Sequence, residues 1–225
     1  MLVIDRILYQ ATRPNGSAAQ LGGGLDVVLA GALLIDLTLA GRVEVDAKGR
    51  VSAAPGNPTG DALLDHGYAV VVRRAGKRAN SVLASLRKGL TAKARDHLTE
   101  AGLVKPEPGT SLGVFPVTRW PVTDATGWER SRDELRATLL GDLEPTLHTA
   151  SVLSVISAAY GLRQLLGRLP ISAREQRRRV KEMEARALAD ANVSRAVRTA
   201  IEAANATIVA AMVAISAGAA GASSG

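Results

Sequence analysis

The sequence predicts a mainly α-helical protein: a single globular helical domain around a central hydrophobic helix, with short β-hairpins that include one protruding apolar hairpin. Two observations predict this fold class. Hydrophobic residues make up 47% of the 225 residues but aromatic residues only 3%, so Ala, Leu and Val fill the core, which favours helices over sheets. In addition, residues 25–40 form a run that is apolar at almost every position.

The chain begins with a short element that leads into this run. Apolar residues between Leu2 and Leu8 predict a short helix or strand, and the sequence RPNG at 13–16 predicts a turn. Three consecutive glycines at 22–24 then provide a flexible entry to the central helix. A glycine-rich entry can cradle phosphate, but no Walker lysine follows it, so the pattern does not predict a nucleotide site.

Residues 25–40 are predicted to form the central helix, with Gly41 as its C-terminal cap because Gly tolerates the left-handed conformation. A helix that is apolar on all sides is either buried or in a membrane. A spanning helix needs about 20 apolar residues, whereas Asp26 and Asp36 interrupt this run. We therefore expect a buried helix, with these carboxylates near its ends and Asp36 paired with a nearby arginine.

Hairpins and helices are predicted to alternate through the middle of the chain. The predicted elements are a hairpin (42–46 with 50–54), a helix opened by Thr59 and Asp61 and ending near Arg73, a helix through Leu83 and Leu86, a helix over 90–102 that Thr91 caps and Gly102 ends, and a second hairpin over 103–122.

The second hairpin is predicted to be apolar. Val114, Phe115 and Trp120 give it this character, and its two prolines favour edge strands or an irregular ribbon. An exposed hairpin with Phe and Trp is typical of insertion at a membrane interface or of binding to a partner. The alternative is a hairpin that folds onto the helical core.

The second half is predicted to be helical. The predicted helices cover 130–140, 147–169 (closed by Pro170), 172–192 (opened by a capping box of Ser172 with Glu175) and 195–217. The last helix is Ala-rich, and we favour a core helix over a transmembrane one. Residues 1–217 are therefore predicted to form one domain, and 218–225 a flexible tail.

The net charge of +7 is unevenly distributed. Residues 71–95 contain eight Lys or Arg and no acidic residue. Such a cluster predicts an anionic partner, either nucleic acid or an anionic membrane surface. The alternative is a solvated helix face, which the regularly spaced acids make the better interpretation of residues 174–186.

Nothing in the sequence predicts catalysis. The chain has no cysteine, and its three histidines are isolated from one another, so we predict no metal site and no cofactor. Asp26 and Asp36 would lie about 15 Å apart on a helix, too far for a catalytic pair. The N-terminus lacks the pattern of a secretory signal, which predicts a cytoplasmic protein.

Two kinds of binding remain. In one, each helix–hairpin unit is a winged-helix-like module whose helix enters the major groove of DNA while the basic stretch before Leu90 contacts phosphates. In the other, the basic cluster and the apolar hairpin dock together on an anionic bilayer.

Five segments are distinctive: LIDLTLAGRV at 34–43, PTGDALLD at 58–65, HLTEAGLV at 97–104, TRWPVTD at 118–124 and ATIVAA at 206–211. In their order and spacing, these segments resemble the Golgi phosphoprotein 3 family. PTGDALLD is the most specific of these. The resemblance spans nearly the whole chain, and the composition indicates a bacterial member.

The resemblance implies a single, mostly helical domain with a central hydrophobic helix and a protruding β-hairpin. Eukaryotic members are peripheral membrane proteins that bind phosphatidylinositol 4-phosphate in a basic pocket and help retain glycosyltransferases in the Golgi. Their apolar hairpin serves membrane contact or oligomerisation. The resemblance therefore implies an anionic lipid, client membrane proteins and a second copy of the chain as partners, and favours these over nucleic acid.

The family's pocket carries over in part. Its tryptophan and first arginine correspond to Leu21 and Ala30, and its two later arginines to Lys88 and Thr91. The predicted headgroup-binding residues are therefore Arg87, Lys88 and Lys93, and the predicted membrane or oligomer hairpin contains Leu112, Val114, Phe115 and Trp120. The predicted function is that of a non-enzymatic, membrane-peripheral adaptor that binds phosphoinositide or another anionic headgroup; the alternative is a winged-helix-like DNA-binding protein.

Overall fold

Over the residues that the structure describes, the fold is mainly helical with two short β-hairpins, as the sequence predicted. The computed structural model describes residues 1–19, 24–111, 115–189 and 195–222. Its helices are α1 (Val3–Ala11), α2 (Leu25–Leu39), α3 (Ala62–Arg73), α4 (Ala79–Leu86), α5 (Leu90–Glu100), α6 (Ala125–Leu140), α7 (Leu147–Ala158), α8 (Leu162–Leu166), α9 (Ala173–Leu188) and α10 (Arg195–Ala222). The strands β1 (Val43–Val45) and β2 (Val51–Ala53) form one antiparallel pair, and β3 (Glu107–Ser111) and β4 (Phe115–Arg119) form another.

Helix α2 is the buried centre of the protein, which confirms the prediction. Every residue from Val27 to Thr38 is buried, and α1, α3, α4, α5, α7 and α10 all contact this helix. Two glycines allow α10 and α3 to pack closely against α2. A Cβ on Gly31 would lie 2.8 Å from Ile208 of α10, and a Cβ on Gly67 of α3 would lie 2.9 Å from Leu33. Enclosure by helices on every side explains why the apolar run has no polar face.

Helix α10 is long and apolar enough to cross a membrane by length and composition, the one such helix in the part of the chain that the structure describes. A core helix passes the same test. Ala200, Ile201, Ala204 and Ile208 of α10 are fully buried or nearly so, and α2 is its most extensive neighbour. One face of α10 therefore packs in the core, as predicted, whereas Val209 and Val213 of the same helix are exposed. The helix continues through Ala222, so part of the predicted 218–225 tail has helical backbone; residues 223–225 lie outside the described residues.

Several predicted helix ends are confirmed by their hydrogen bonds. The Asp61 side chain accepts the N–H groups of Leu63 and Leu64 at the start of α3, and the Ser172 hydroxyl accepts the N–H of Glu175. Gly41 follows α2 with a φ of +65°, as the αL position after a helix requires. These signals are local, which is why the sequence revealed them.

Several predicted boundaries are wrong, among them the end of the helix predicted over 172–192, which stops at Leu188. Thr91 does not cap α5, because the cap residue is Gly89 at a φ of 67°. Helix α6 starts at Ala125, well before Arg130, because the Asp124 side chain caps it. The helix predicted over 147–169 is divided into α7 and α8, where Tyr160 adopts a φ of 54°, a conformation outside the right-handed helical region.

Candidate functional site

A basic cavity of about 240 Å³ lies between α3 and α4. His66, Val70, Arg73, Arg74, Ser85 and Lys88 line it. Arg73 ends α3 and Arg74 is its C-terminal cap residue, whereas Lys88 follows the end of α4. The ends of two consecutive helices therefore bring three cationic side chains to one concave surface.

These three cations have no acidic partner among the residues that the structure describes. In the described ranges, no carboxylate oxygen lies within the 4.0 Å ion-pair distance of Arg73, Arg74 or Lys88. Burial, followed by the charges of Lys93 and Arg73, lowers the pKa of His66 below its ordinary value. The cavity therefore has a positive field that its own side chains leave uncompensated.

The predicted headgroup residues Arg87, Lys88 and Lys93 do not share one cavity. Lys88 lines the basic cavity. Lys93 lines a neighbouring cavity of about 180 Å³, which shares His66 but also contains Asp96 and Glu100. Arg87 is the exposed C-terminal cap residue of α4 and lines neither cavity. Arg73 and Arg74 were missed as site residues, although they belong to the basic stretch that the sequence singled out.

The headgroup pocket that the family resemblance implies, near Ala30 and Thr91, contains the carboxylate of Asp26. Ala30 is fully buried in α2, and the Thr91 hydroxyl donates a hydrogen bond to the Asp26 carboxylate. Leu21, at the family's tryptophan position, lies outside the described residues. The side chain of nearby Arg95 lies over the Trp120 ring, 4.2 Å from its centroid. A carboxylate at this position opposes the binding of an anionic headgroup.

The hairpin of β3 and β4 presents apolar side chains to solvent. All residues of β4 are exposed; Phe115 is 60% exposed and Val117 is 37% exposed. Leu112 and Val114, also predicted for this surface, lie outside the described residues. Each strand of this hairpin has five residues and therefore extends over about 16 Å.

Trp120 is not part of this exposed surface. It follows β4, is partly buried and packs against the hydrophobic core. Its ring also stacks under the Arg95 guanidinium, an arrangement that stabilises the base of the hairpin. The structure therefore places Trp120 in a packing position. In the described part of the hairpin, Phe115 and Val117 are the large apolar side chains exposed for contact.

A buried polar network, which the sequence did not reveal, joins the helices beneath these surfaces. The Asp36 carboxylate on α2 accepts the N–H groups of Val3, at 2.8 Å, and Ile4, at 2.9 Å, at the start of α1. The expected pairing of Asp36 with an arginine is wrong, because backbone donors occupy both of its oxygens. Two unsatisfied N–H groups at the start of α1 thus find their acceptor on the central helix.

His97 of α5 links the first and third helices. Its Nδ1 lies 2.9 Å from an Asp5 oxygen on α1, and its Nε2 lies 3.1 Å from an Asp61 oxygen at the start of α3. Burial lowers the pKa of His97, but the hydrogen bonds and charges of Asp5 and Asp61 outweigh it and raise the pKa above the ordinary value. His97 therefore links α1, α3 and α5, and its two carboxylate neighbours favour the imidazolium form. In the described part of the chain, no group of three or more His, Asp or Glu side chains could hold a metal ion.

We expect His97→Gln to lower the free energy of unfolding by about 1–3 kcal/mol, because buried Asp5 loses its partner. The raised pKa of His97 adds stability that is complete below about pH 6.5 and is lost as the pH rises through the folded-state pKa. Urea unfolding of wild type against pH should show this decline, and the variant should lack that part of it. His66→Gln is the control: it also removes a histidine, but it should keep the part of the decline that comes from His97. Parallel pH curves for wild type and His97→Gln would contradict the assignment.

Comparison with protein-family models gives a match over most of the chain. A protein-family model described as Golgi phosphoprotein 3 (GPP34) matches residues 10–204. The match spans the central helix, both cavities, the protruding hairpin and the beginning of α10. A search of curated proteins found no match.

Proposed function

The chain belongs to the Golgi phosphoprotein 3 family, and from this premise we propose that it is a peripheral membrane protein that binds anionic lipid headgroups, phosphoinositides among them. In this proposal it acts on the cytoplasmic side of a membrane as a non-enzymatic adaptor. Client membrane proteins, and a second copy of the chain docked through the hairpin, are its proposed further partners.

One observation carries the proposal: the same protein combines an unpaired cluster of cations with an exposed apolar hairpin. Each Lys or Arg close to an anionic surface contributes about 1 kcal/mol of attraction. Full burial of a Phe side chain contributes about 1.5–3 kcal/mol. Neither contribution alone gives stable membrane binding, but two such signals together can do so. Phe115 with Arg73, Arg74 and Lys88 would supply both.

The two helices that the DNA-binding alternative requires are not suited to contact DNA. Helix α2 of the first helix–hairpin unit is buried from Val27 to Thr38, so it cannot enter a groove. In the second unit, the exposed face of α5 carries Asp96 and Glu100 beside Lys93. Acidic side chains on that face would repel phosphates. The family match does not point to DNA either.

Vesicle flotation tests the proposed function. We expect the full chain to float with vesicles of phosphatidylcholine and phosphatidylserine, and to bind much less to phosphatidylcholine alone. Added salt should weaken the binding because it screens the exposed charges. Equal binding to both kinds of vesicle, or to neither, would contradict the proposal. Binding to duplex DNA with steep salt dependence, without vesicle binding, would favour the alternative.

A further inference from the structure

We propose that the phosphate-binding site of this chain is the cavity between α3 and α4, which keeps Lys88 from the pocket implied by the family resemblance but has Arg73 and Arg74 in place of the positions near Ala30 and Thr91. Its ligand class is a phosphate monoester, carried either by a lipid headgroup or by a soluble compound. Assignment to a lipid rests on the function proposed above, whereas assignment of the cavity does not.

The cavity has the charge that a phosphate requires. Arg73, Arg74 and Lys88 line it together, and no carboxylate oxygen in the described residues lies within ion-pair distance of them. A cation near a helix C-terminus interacts favourably with the helix dipole. This interaction can explain why each of these residues is basic. It does not explain why three exposed cations line one concavity without a carboxylate partner among the described residues.

The chemistry and size of the lining fit a small oxyanion. Arg offers planar, bidentate hydrogen bonding to phosphate, and Lys adds a mobile point charge. The Ser85 side chain adds a hydroxyl to the same lining. The volume of about 240 Å³ is below the roughly 300–1,000 Å³ of sites for drug-sized ligands. A phosphate group with its nearest waters suits this space better than a whole lipid headgroup with its chains.

His66 would report the occupancy of the cavity, because it lines both this cavity and the neighbouring one. The charged and titratable groups around the two cavities are Arg73, Arg74, Lys88, Lys93, Asp96, His97 and Glu100. Burial and the nearby cations lower the pKa of His66 in the free protein. A bound phosphate would offset those cations and favour the imidazolium, so the His66 pKa should rise when phosphate binds.

The implied family position is less suitable for the same ligand. Asp26 accepts a hydrogen bond from Thr91 there, and the Arg95 guanidinium nearby is stacked on Trp120. A phosphate at that position would face the Asp26 carboxylate at close range. The unpaired cations therefore favour the cavity between α3 and α4.

Inorganic phosphate and vesicles, used in parallel, test the proposal. The test variant is the double variant Arg74→Gln with Lys88→Gln. The control is Lys77→Gln, which removes a charge from an exposed position of the same basic stretch outside the cavity. NMR should show that phosphate raises the His66 pKa in wild type and Lys77→Gln. The double variant should bind phosphate at least about tenfold more weakly, because two charge-assisted contacts are lost together. Thermal unfolding checks that all variants fold.

Vesicles of phosphatidylcholine with phosphatidylinositol 4-phosphate distinguish the sources of the phosphate. Preferential binding to them over phosphatidylcholine alone, lost in the double variant, supports a lipid headgroup as the ligand. Phosphate binding in the cavity without vesicle binding supports a soluble ligand and overturns the proposed membrane function. If phosphate leaves the His66 pKa unchanged and the double variant binds these vesicles like Lys77→Gln, the cavity assignment is overturned while the membrane function survives.

Discussion

Asp36→Ala is expected to lower the free energy of unfolding by about 3–5 kcal/mol, because two backbone N–H groups lose their acceptor and a space opens in the core. The donors are Val3 and Ile4, and the carboxylate is almost fully buried. Urea unfolding followed by circular dichroism measures the loss. Asp46→Ala is the matched control, since the Asp46 side chain also accepts two backbone N–H groups but in an exposed turn. Water can replace Asp46, so its removal should cost much less.

The pH dependence of stability separates the charge of Asp36 from its hydrogen bonds. Burial raises the pKa of Asp36 to about 7; the N–H groups of Ile4 and Val3 oppose this rise, and the charges of Asp5 and Asp61 add to it. An unfolded Asp has a pKa near 3.9. Between about pH 4 and pH 7 the unfolded chain therefore holds fewer protons than the folded one, and stability falls as the pH rises.

Asp36→Asn should remove this decline over that pH range. The variant should also be less stable than wild type, because an amide oxygen can replace one carboxylate oxygen but its NH₂ group faces the other N–H donor. Its loss should be smaller than that of Asp36→Ala. If Asp36→Ala and Asp46→Ala lose equal stability, the proposed capping of α1 by the central helix is wrong.

Phe115→Asp is expected to weaken binding to phosphatidylserine-containing vesicles by at least about tenfold. The substitution removes the burial energy of a Phe side chain and places a negative charge against an anionic surface. The matched control is Leu143→Asp, which introduces the same charge at a 47% exposed apolar position between α6 and α7. Cosedimentation at constant ionic strength measures both. Equal weakening by the two variants would indicate a general effect of charge and would contradict a specific role for the hairpin.

Much of the fold could be predicted because its signals are local. The apolar run of α2, the hairpin turns and the caps at Asp61, Ser172 and Gly41 each depend on residues that are neighbours in sequence. The division of α7 from α8 at Tyr160 was missed because the apolar pattern continues across it. Pattern alone could not locate the break.

The site was predicted less completely because its parts meet only in three dimensions. Asp36 is 33 residues from Val3, and His97 is 92 residues from Asp5. No spacing rule indicates such contacts. The basic stretch was recognised, but only the folded chain separates Lys88, which lines the basic cavity, from Lys93, which lies among acids. Similarly, Trp120 was assigned to the hairpin surface because the sequence cannot reveal its packing against the core.

The most direct test of the central claim is quenching of tryptophan fluorescence by brominated acyl chains. Phe115→Trp places a fluorophore on the exposed hairpin, and wild type, with Trp120 and Trp128, supplies the background. On vesicles that contain phosphatidylserine, we predict more quenching in the variant than in wild type, and no such difference with phosphatidylcholine alone. If the variant binds these vesicles but its quenching equals that of wild type, the hairpin does not enter the membrane, and the account is contradicted.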